Sequence, residues 1–183
     1  MSCGTVDHAQ KIEPIVAWLL DEDRLGGFHF NDGRYANDDF TLGSRDPHQV
    51  FRSFHEIDGF AADRGRVPKS ASIIDRGQSE KPKIEATIQT LVMPQELYAP
   101  AAPVDHAALR RALAENNVVG AELIVKHAFL TDVAPALAGW RKANRLPADP
   151  LAEHRRTGHA RAAAAERPRR RRALGLTQGG RFA

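Results

Sequence analysis

The sequence has little of what stabilises secreted or membrane-embedded chains. Among 183 residues there is one cysteine, Cys3, so the chain can form no internal disulfide and has no pair of thiolates for a metal. Its apolar runs fall short of the roughly 18 residues that a membrane span requires. The opening residues, MSCGTVDHAQKIEP, lack the basic and apolar segments of a secretory signal. We therefore expect a soluble cytoplasmic protein without a membrane partner.

Negative charge is missing from the carboxy-terminal end. Residues 167–183 contain six of the 26 basic residues and no acidic residue, which leaves 20 basic against 23 acidic residues in 1–166. An arginine run can bind nucleic acid by neutralising phosphates. Without interleaved aromatic residues or a helical period, however, it is more typical of a solvated end. We predict an arginine-rich disordered tail over 167–183 and do not favour nucleic acid as a partner.

Apolar periodicity predicts alternating helices and strands over residues 1–100. A helix is expected over 12–20, a short strand over 26–31, a helix after the capping pair Asp46-Pro47, and a second strand over 70–75. A third helix carries the apolar stripe Ile84, Ile88, Leu91 and Val92. Helices that alternate with strands in this way are typical of parallel βαβ units, so the predicted fold class is α/β.

Residues 101–166 are predicted to be a helical extension. Asp105, Thr131 or Asp132, and Asp149 stand where helix N-caps are expected, and Asn116-Asn117 signals a turn. His127 lies on an apolar stripe, where a packed histidine is favoured over a metal ligand.

The segment GGFHFNDGRYANDDFTLG, residues 26–43, carries the strongest candidate chemistry. In an extended strand, His29 and Asn31 share one face while Phe28 and Phe30 share the other. Asp32 and the pair Asp38-Asp39 add oxygen donors, which together with an imidazole suit Mn, Mg, Zn or Co. The alternative is a strand that leads into an acidic surface loop with an Asx-type turn. Spacing alone favours the surface loop.

Several segments together resemble the carboxy-terminal part of bacterial L-rhamnose isomerases, of the xylose-isomerase-like barrel superfamily. They are GGFHFNDGRYANDDFTLGS, DPHQVFRSFHEI, SIIDRGQSEKPKIEATIQ and PVDHAALRRALAENNVVGAELIVKHAFLTDVAPAL. The resemblance extends over about residues 5–168. It implies an incomplete (β/α)₈ TIM barrel, made of the last two or three βα units and followed by the helical extension. The implied parent activity is metal-dependent aldose–ketose isomerisation of the L-rhamnose type, by a homotetramer.

The resemblance also implies which residues bind metal. His29 and Asp75 match ligands of a structural ion, and Asp39 matches a ligand of the catalytic ion, with Mn²⁺ the expected metal. Asn37 stands where the family has an aspartate, and an amide without charge should weaken that site. Asp7 and His8 are candidate remnants of further ligands at shortened spacing.

Other family features are missing, and they leave the function open. A complete barrel needs about 250 residues, and neither the earlier barrel strands nor the glutamate that bridges both ions is recognisable here. We therefore expect an isomerase-like chain that is catalytically incomplete alone, and we assign no catalytic residue and no particular sugar. The alternatives are a non-catalytic interaction module that binds metal or pairs with a partner supplying the missing strands, and a nucleic-acid binder acting through its tail.

Overall fold

A computed structural model describes residues 11–32, 40–74 and 81–173 of the chain, with side chains up to residue 166. The chain divides into two compact units, Met1–Ala148 and Asp149–Ala183. Within the described ranges, no helix is both long enough and apolar enough to cross a membrane.

The first unit is mixed α/β and mostly helical. Its elements in chain order are α1 (Ile12–Asp21), β1 (Gly27–Phe30), α2 (Pro47–Arg64), β2 (Ala71–Ile74), α3 (Lys83–Tyr98), α4 (His106–Ala114), α5 (Val118–Phe129) and α6 (Ala134–Ala143). The predicted order of helix, strand, helix, strand and helix is confirmed, and β1 and β2 pair in parallel as expected for a βαβ unit. The described sheet has two strands.

Local capping chemistry explains where several helices begin. The carboxylate of Asp46 accepts a hydrogen bond from the Gln49 amide at 2.9 Å, and Pro47 follows in the first helical position of α2. The carboxylate of Asp105 accepts from the Ala108 amide at 2.8 Å and caps α4 in the same way. Both caps were expected from the sequence, because they depend on residues three positions apart.

Two apolar clusters form the core around α2. One joins α2 to α3, α5 and the segment after Tyr98, and its buried members are Leu42, Val50, Phe51, Phe54, Leu97, Ala101, Val104 and Ala128. The other joins α1, β1 and the far end of α2 through Val16, Leu20, Leu25, Phe28 and Phe60. Phe30 and Ile57 pack against both clusters, so α2 is the element about which this unit is organised.

The buried face of α3 differs from the predicted stripe. Ile84 and Leu91 are exposed, and the buried residues are Ala86, Thr90 and Leu97. The Thr90 hydroxyl donates to the Ala86 carbonyl at 2.9 Å, which lets a polar side chain occupy the core. Ile84 and Leu91 of the predicted stripe therefore do not mark the side on which this helix packs, whereas Leu97, outside that stripe, lies in the core.

The second unit contains α7 (Pro150–Arg156) and α8 (His159–Ala173). Asp149 caps α7 by accepting from the amides of Leu151 and Ala152, as predicted. α8 continues to Ala173, into the segment 167–183 predicted as an arginine-rich tail, and the disorder of that tail stays a prediction. Four alanines in succession, 162–165, favour helix just before the arginine run.

Candidate functional site

The parallel pairing of β1 and β2 creates the edge at which the predicted site was placed. Gly27 pairs with Ala71, and the register continues until Phe30 stands beside Ile74. The carboxyl ends of both strands therefore lie side by side. Gly27 permits this approach, because a Cβ at that position would collide with the carbonyl oxygen of Ala71.

The two faces of this sheet differ, as the alternation of β1 predicts. Phe28 is buried, and its ring stacks on that of Phe30 with centroids 5.2 Å apart. His29 lies on the opposite face together with its register partner Ile73. Both of these side chains are exposed, and Ile73 retains 52% of its accessible surface. An incoming ion or molecule can therefore reach the face that carries His29.

Asp32, just after β1, forms hydrogen bonds through both its backbone and its side chain. Its backbone pairs with that of Phe40 through two hydrogen bonds of 3.0 and 2.7 Å. Its Oδ2 atom accepts from the backbone amides of Arg45 at 2.8 Å and Asp46 at 3.3 Å. The carboxylate thus ties the segment after β1 to the start of α2.

A lysine outside the predicted site joins the segments that follow the two strands. Lys81 Nζ donates to Thr41 Oγ1 at 3.3 Å and to Gln89 Oε1 at 3.2 Å. Thr41 and Leu42 are buried, so the lysine is tied to a well-packed part of the chain. The sequence contains no local signal for this contact, because residues 40 positions apart form it.

The structure describes one of the six predicted metal ligands, His29. Asp7, His8, Asn37, Asp39 and Asp75 fall outside the described residues, whereas His29 is placed near the carboxyl end of β1. The described residues contain no group of three or more histidine, cysteine or acidic side chains able to hold a metal. Of the predicted ligands, His29 is thus the one that lies within the described residues. His127, expected to be packed, is exposed on α5.

A second group of titratable side chains lies between α2 and α4. The ring of His55 stacks on that of His106, with centroids 4.8 Å apart and planes 2° from parallel. His106 Nε2 lies 3.0 Å from Asp58 Oδ2. Burial and the neighbouring His106 lower the pKa of His55 to about 4, and burial raises the pKa of Glu56.

His55 also lines two grooves of the first unit. A groove of about 670 Å³ lies between α2, α4 and α5, and one of about 330 Å³ lies between α1, α2 and α4. Apolar side chains of α4 and α5, among them Leu113, Val125 and Phe129, form much of the larger groove. The sequence pattern indicated neither groove, because each is bounded by helices that are distant along the chain.

The sequence pattern also did not predict that α1 and α6 each carry a buried charged side chain. Glu13 is 4% exposed and lies 3.4 Å from the guanidinium of Arg52 on α2. Arg141 of α6 is similarly buried, and it donates to Gln95 Oε1 at 2.9 Å and to the Ala148 carbonyl at 2.9 Å. Such partners are needed because a buried charge without them is costly.

The chain is similar in sequence to two curated proteins named as probable sugar isomerases. It is 37% identical over 157 residues to a probable sugar isomerase of Rhizobium meliloti strain 1021, a match that covers 86% of this chain and 36% of the relative. A probable sugar isomerase of Mesorhizobium japonicum is 36% identical over the same extent. The chain thus spans about a third of the length of these curated relatives. No protein-family model matches it. Over most of its length, the chain is related to proteins named as probable sugar isomerases.

Proposed function

We propose that this chain contributes the last βα units of a metal-dependent aldose–ketose isomerase of the L-rhamnose isomerase type. The observation that carries the proposal is the parallel β1–β2 pair, which sets the strand bearing His29 beside the strand that directly precedes Asp75 in sequence. In (β/α)₈ barrels, active sites are built at the carboxyl ends of neighbouring strands. The relation to sugar isomerases supports the same interpretation.

The proposed metal ligands are His29, Asp39 and Asp75, with Asn37, Asp7 and His8 as weaker candidates. An imidazole with carboxylate oxygens suits Mn²⁺, and the exposure of His29 leaves its ring accessible from the open face of the sheet. When bound, such an ion would polarise the oxygen atoms of an open-chain sugar. The parent enzyme would act as a homotetramer in the cytoplasm.

We further propose that these 183 residues are catalytically incomplete alone. A closed barrel uses eight strands, and the described ranges of this chain supply two. The metal ligands and pocket residues that the other strands carry would have to be supplied by polypeptide outside these 183 residues.

Calorimetric titration with Mn²⁺ tests the ligand assignment. Wild-type protein should bind the ion, and His29→Ala should bind it at least tenfold more weakly, the order expected when one ligand is lost. His127→Ala is the matched control, because it removes an equally exposed imidazole from α5. Indistinguishable isotherms for the wild type and His29→Ala would exclude His29 as a ligand.

A coupled assay on L-rhamnose with Mn²⁺ tests the incompleteness separately. We expect no measurable turnover by the chain alone. Turnover close to that of a full-length relative would contradict this part of the proposal while leaving the metal assignment standing.

A second candidate function is that of an interaction module that pairs with strands from another polypeptide. The exposed Ile73 on the open sheet face favours it, because parallel sheets are ordinarily covered on both faces. Sedimentation of an Ile73→Lys variant tests the role: association that is unchanged by this charge would exclude the sheet face.

A further inference from the structure

The contact between α2 and α4 depends on two stacked imidazoles. His106 is the first residue of α4, and its ring stacks on that of His55 and also lies close to Gly59. A Cβ at Gly59 would stand 3.3 Å from the His106 ring, so the absence of a side chain gives the imidazole its place. Asp58 accepts at 3.0 Å from His106 Nε2 when that nitrogen carries a proton.

We propose that the His55–His106 stack is a pH-sensitive latch, which holds α4 against α2 at neutral pH and loosens it in mild acid. The neutral ring of His55 packs face to face on that of His106, with centroids 4.8 Å apart. A proton on His55 would put a positive charge into this half-buried contact, which burial and the neighbouring His106 both disfavour. The proposal concerns a conformational device and is independent of metal binding or sugar chemistry.

Burial is the main cause that lowers the pKa of His55. The neighbouring His106 and Arg52 lower this pKa further, and Asp58 raises it. The cations facing the stack or the grooves beside it are Arg52 and Arg64 of α2, Arg110 of α4 and Lys126 of α5. The acidic groups are Glu13 and Asp21 of α1, Glu56, Asp58 and Asp63 of α2, and Glu122 of α5. His48 of α2 lines the larger groove as well.

Few of these acidic groups can offset a new charge on His55. Asp58 is engaged by His106 and also lies 3.4 Å from the Tyr98 hydroxyl, which donates to it. Glu13 faces Arg52, and Asp63 pairs with Arg110. Because burial raises the pKa of Glu56, mild acid also removes negative charge there. Protonation of His55 and neutralisation of Glu56 therefore both make this site more positive as pH falls.

The direction of the effect follows from proton linkage. An exposed histidine has a pKa near 6.5, whereas the pKa of His55 in the closed state is about 4. Between these values the opened state binds more protons than the closed state, so acid favours opening. The closed contact is at full strength above pH 6.5 and weakens as pH falls toward 4.

Hydrogen exchange of α4 amides, corrected for intrinsic rates, tests the latch. In the wild type, protection over His106–Ala114 should fall on the order of tenfold between pH 7.5 and pH 5.0, as expected from linkage. His55→Phe keeps a flat ring that cannot be protonated, and it should abolish this fall. His127→Gln is the control, because it removes an exposed histidine from the adjoining helix and should leave the fall unchanged.

Two outcomes would overturn the proposal. One is an equal fall in His55→Phe, which would place the acid response elsewhere. The other is an equal loss of protection in α1 and α2, which would indicate general unfolding rather than a local opening. Should His55→Phe not fold, NMR titration of the wild-type imidazoles replaces it: a His55 midpoint near 6.5 without change in α4 protection contradicts the latch.

Discussion

The two faces of the β1–β2 pair show how differently one short sheet is used. On one face, Phe28 and Phe30 stack on each other and pack into the clusters around α1 and α2. On the other, His29 and Ile73 are exposed to solvent. The covered face packs into the core, and the open face carries His29, the proposed metal ligand. The two-residue period of a strand separates these two side-chain environments.

Removal of the buried aromatic ring should show the largest difference between the faces. Phe28→Ala should lower the free energy of unfolding by about 3–5 kcal/mol, because it leaves a cavity beside Val16 and Phe60. Ile73→Ala, the matched change on the open face, should lower it by about 0.5 kcal/mol or less. Urea denaturation followed by circular dichroism measures both. Equal losses would mean that the second face is covered in solution.

A methyl group placed between the strands should have an intermediate effect. Gly27→Ala should destabilise the protein by about 1–3 kcal/mol, because its Cβ meets the backbone of Ala71 and cannot be relieved by a side-chain rotation. Gly26→Ala is a close control, since nothing lies within 4 Å of the Cβ it would add. Thermal melting compares the two variants. Similar melting temperatures would contradict the close strand approach.

Loss of the predicted ligand should have the smallest effect on folding. His29→Ala should change the free energy of unfolding by no more than about 0.5 kcal/mol, because the side chain is exposed on the open face. Denaturation in the absence of divalent ions gives this value. A loss above about 2 kcal/mol would assign His29 to packing rather than to a ligand role.

Local chemistry explains why much of the fold could be predicted. The caps at Asp46, Asp105 and Asp149 each use an amide two or three residues away, so the sequence contains both partners. The alternation that separates Phe28 from His29 is equally local, and it correctly assigned their faces. The ligand assignments of Asp39 and Asp75 remain predictions.

The buried face of α3 could not be predicted from periodicity. Ile84 and Leu91 are large and apolar yet exposed, whereas Ala86, Thr90 and Leu97 are buried. The Thr90 hydroxyl is satisfied within its own helix. The size and hydrophobicity of side chains predict which side of a helix is buried only when the elements that pack against the helix are known.

Contacts between distant residues account for the features that the sequence pattern missed. Glu13 meets Arg52, His55 meets His106, and Lys81 meets Thr41, each across tens of residues. Charged or titratable residues of these types are common on solvated surfaces, so their positions alone indicate nothing unusual. Their burial and pairing depend on how α1, α3 and α4 pack around α2.

The sequence by itself determined the order of helices and strands, the helix caps and the two faces of β1, because these depend on neighbours within one or two turns. Strand alternation also singled out His29, and the resemblance to L-rhamnose isomerases predicts that it binds metal. Tertiary structure alone decided which side of α3 is buried, that Asp32 holds the start of α2, and that two histidines stack between α2 and α4. These features depend on contacts between residues that are far apart in the chain, and no local sequence pattern contains that information.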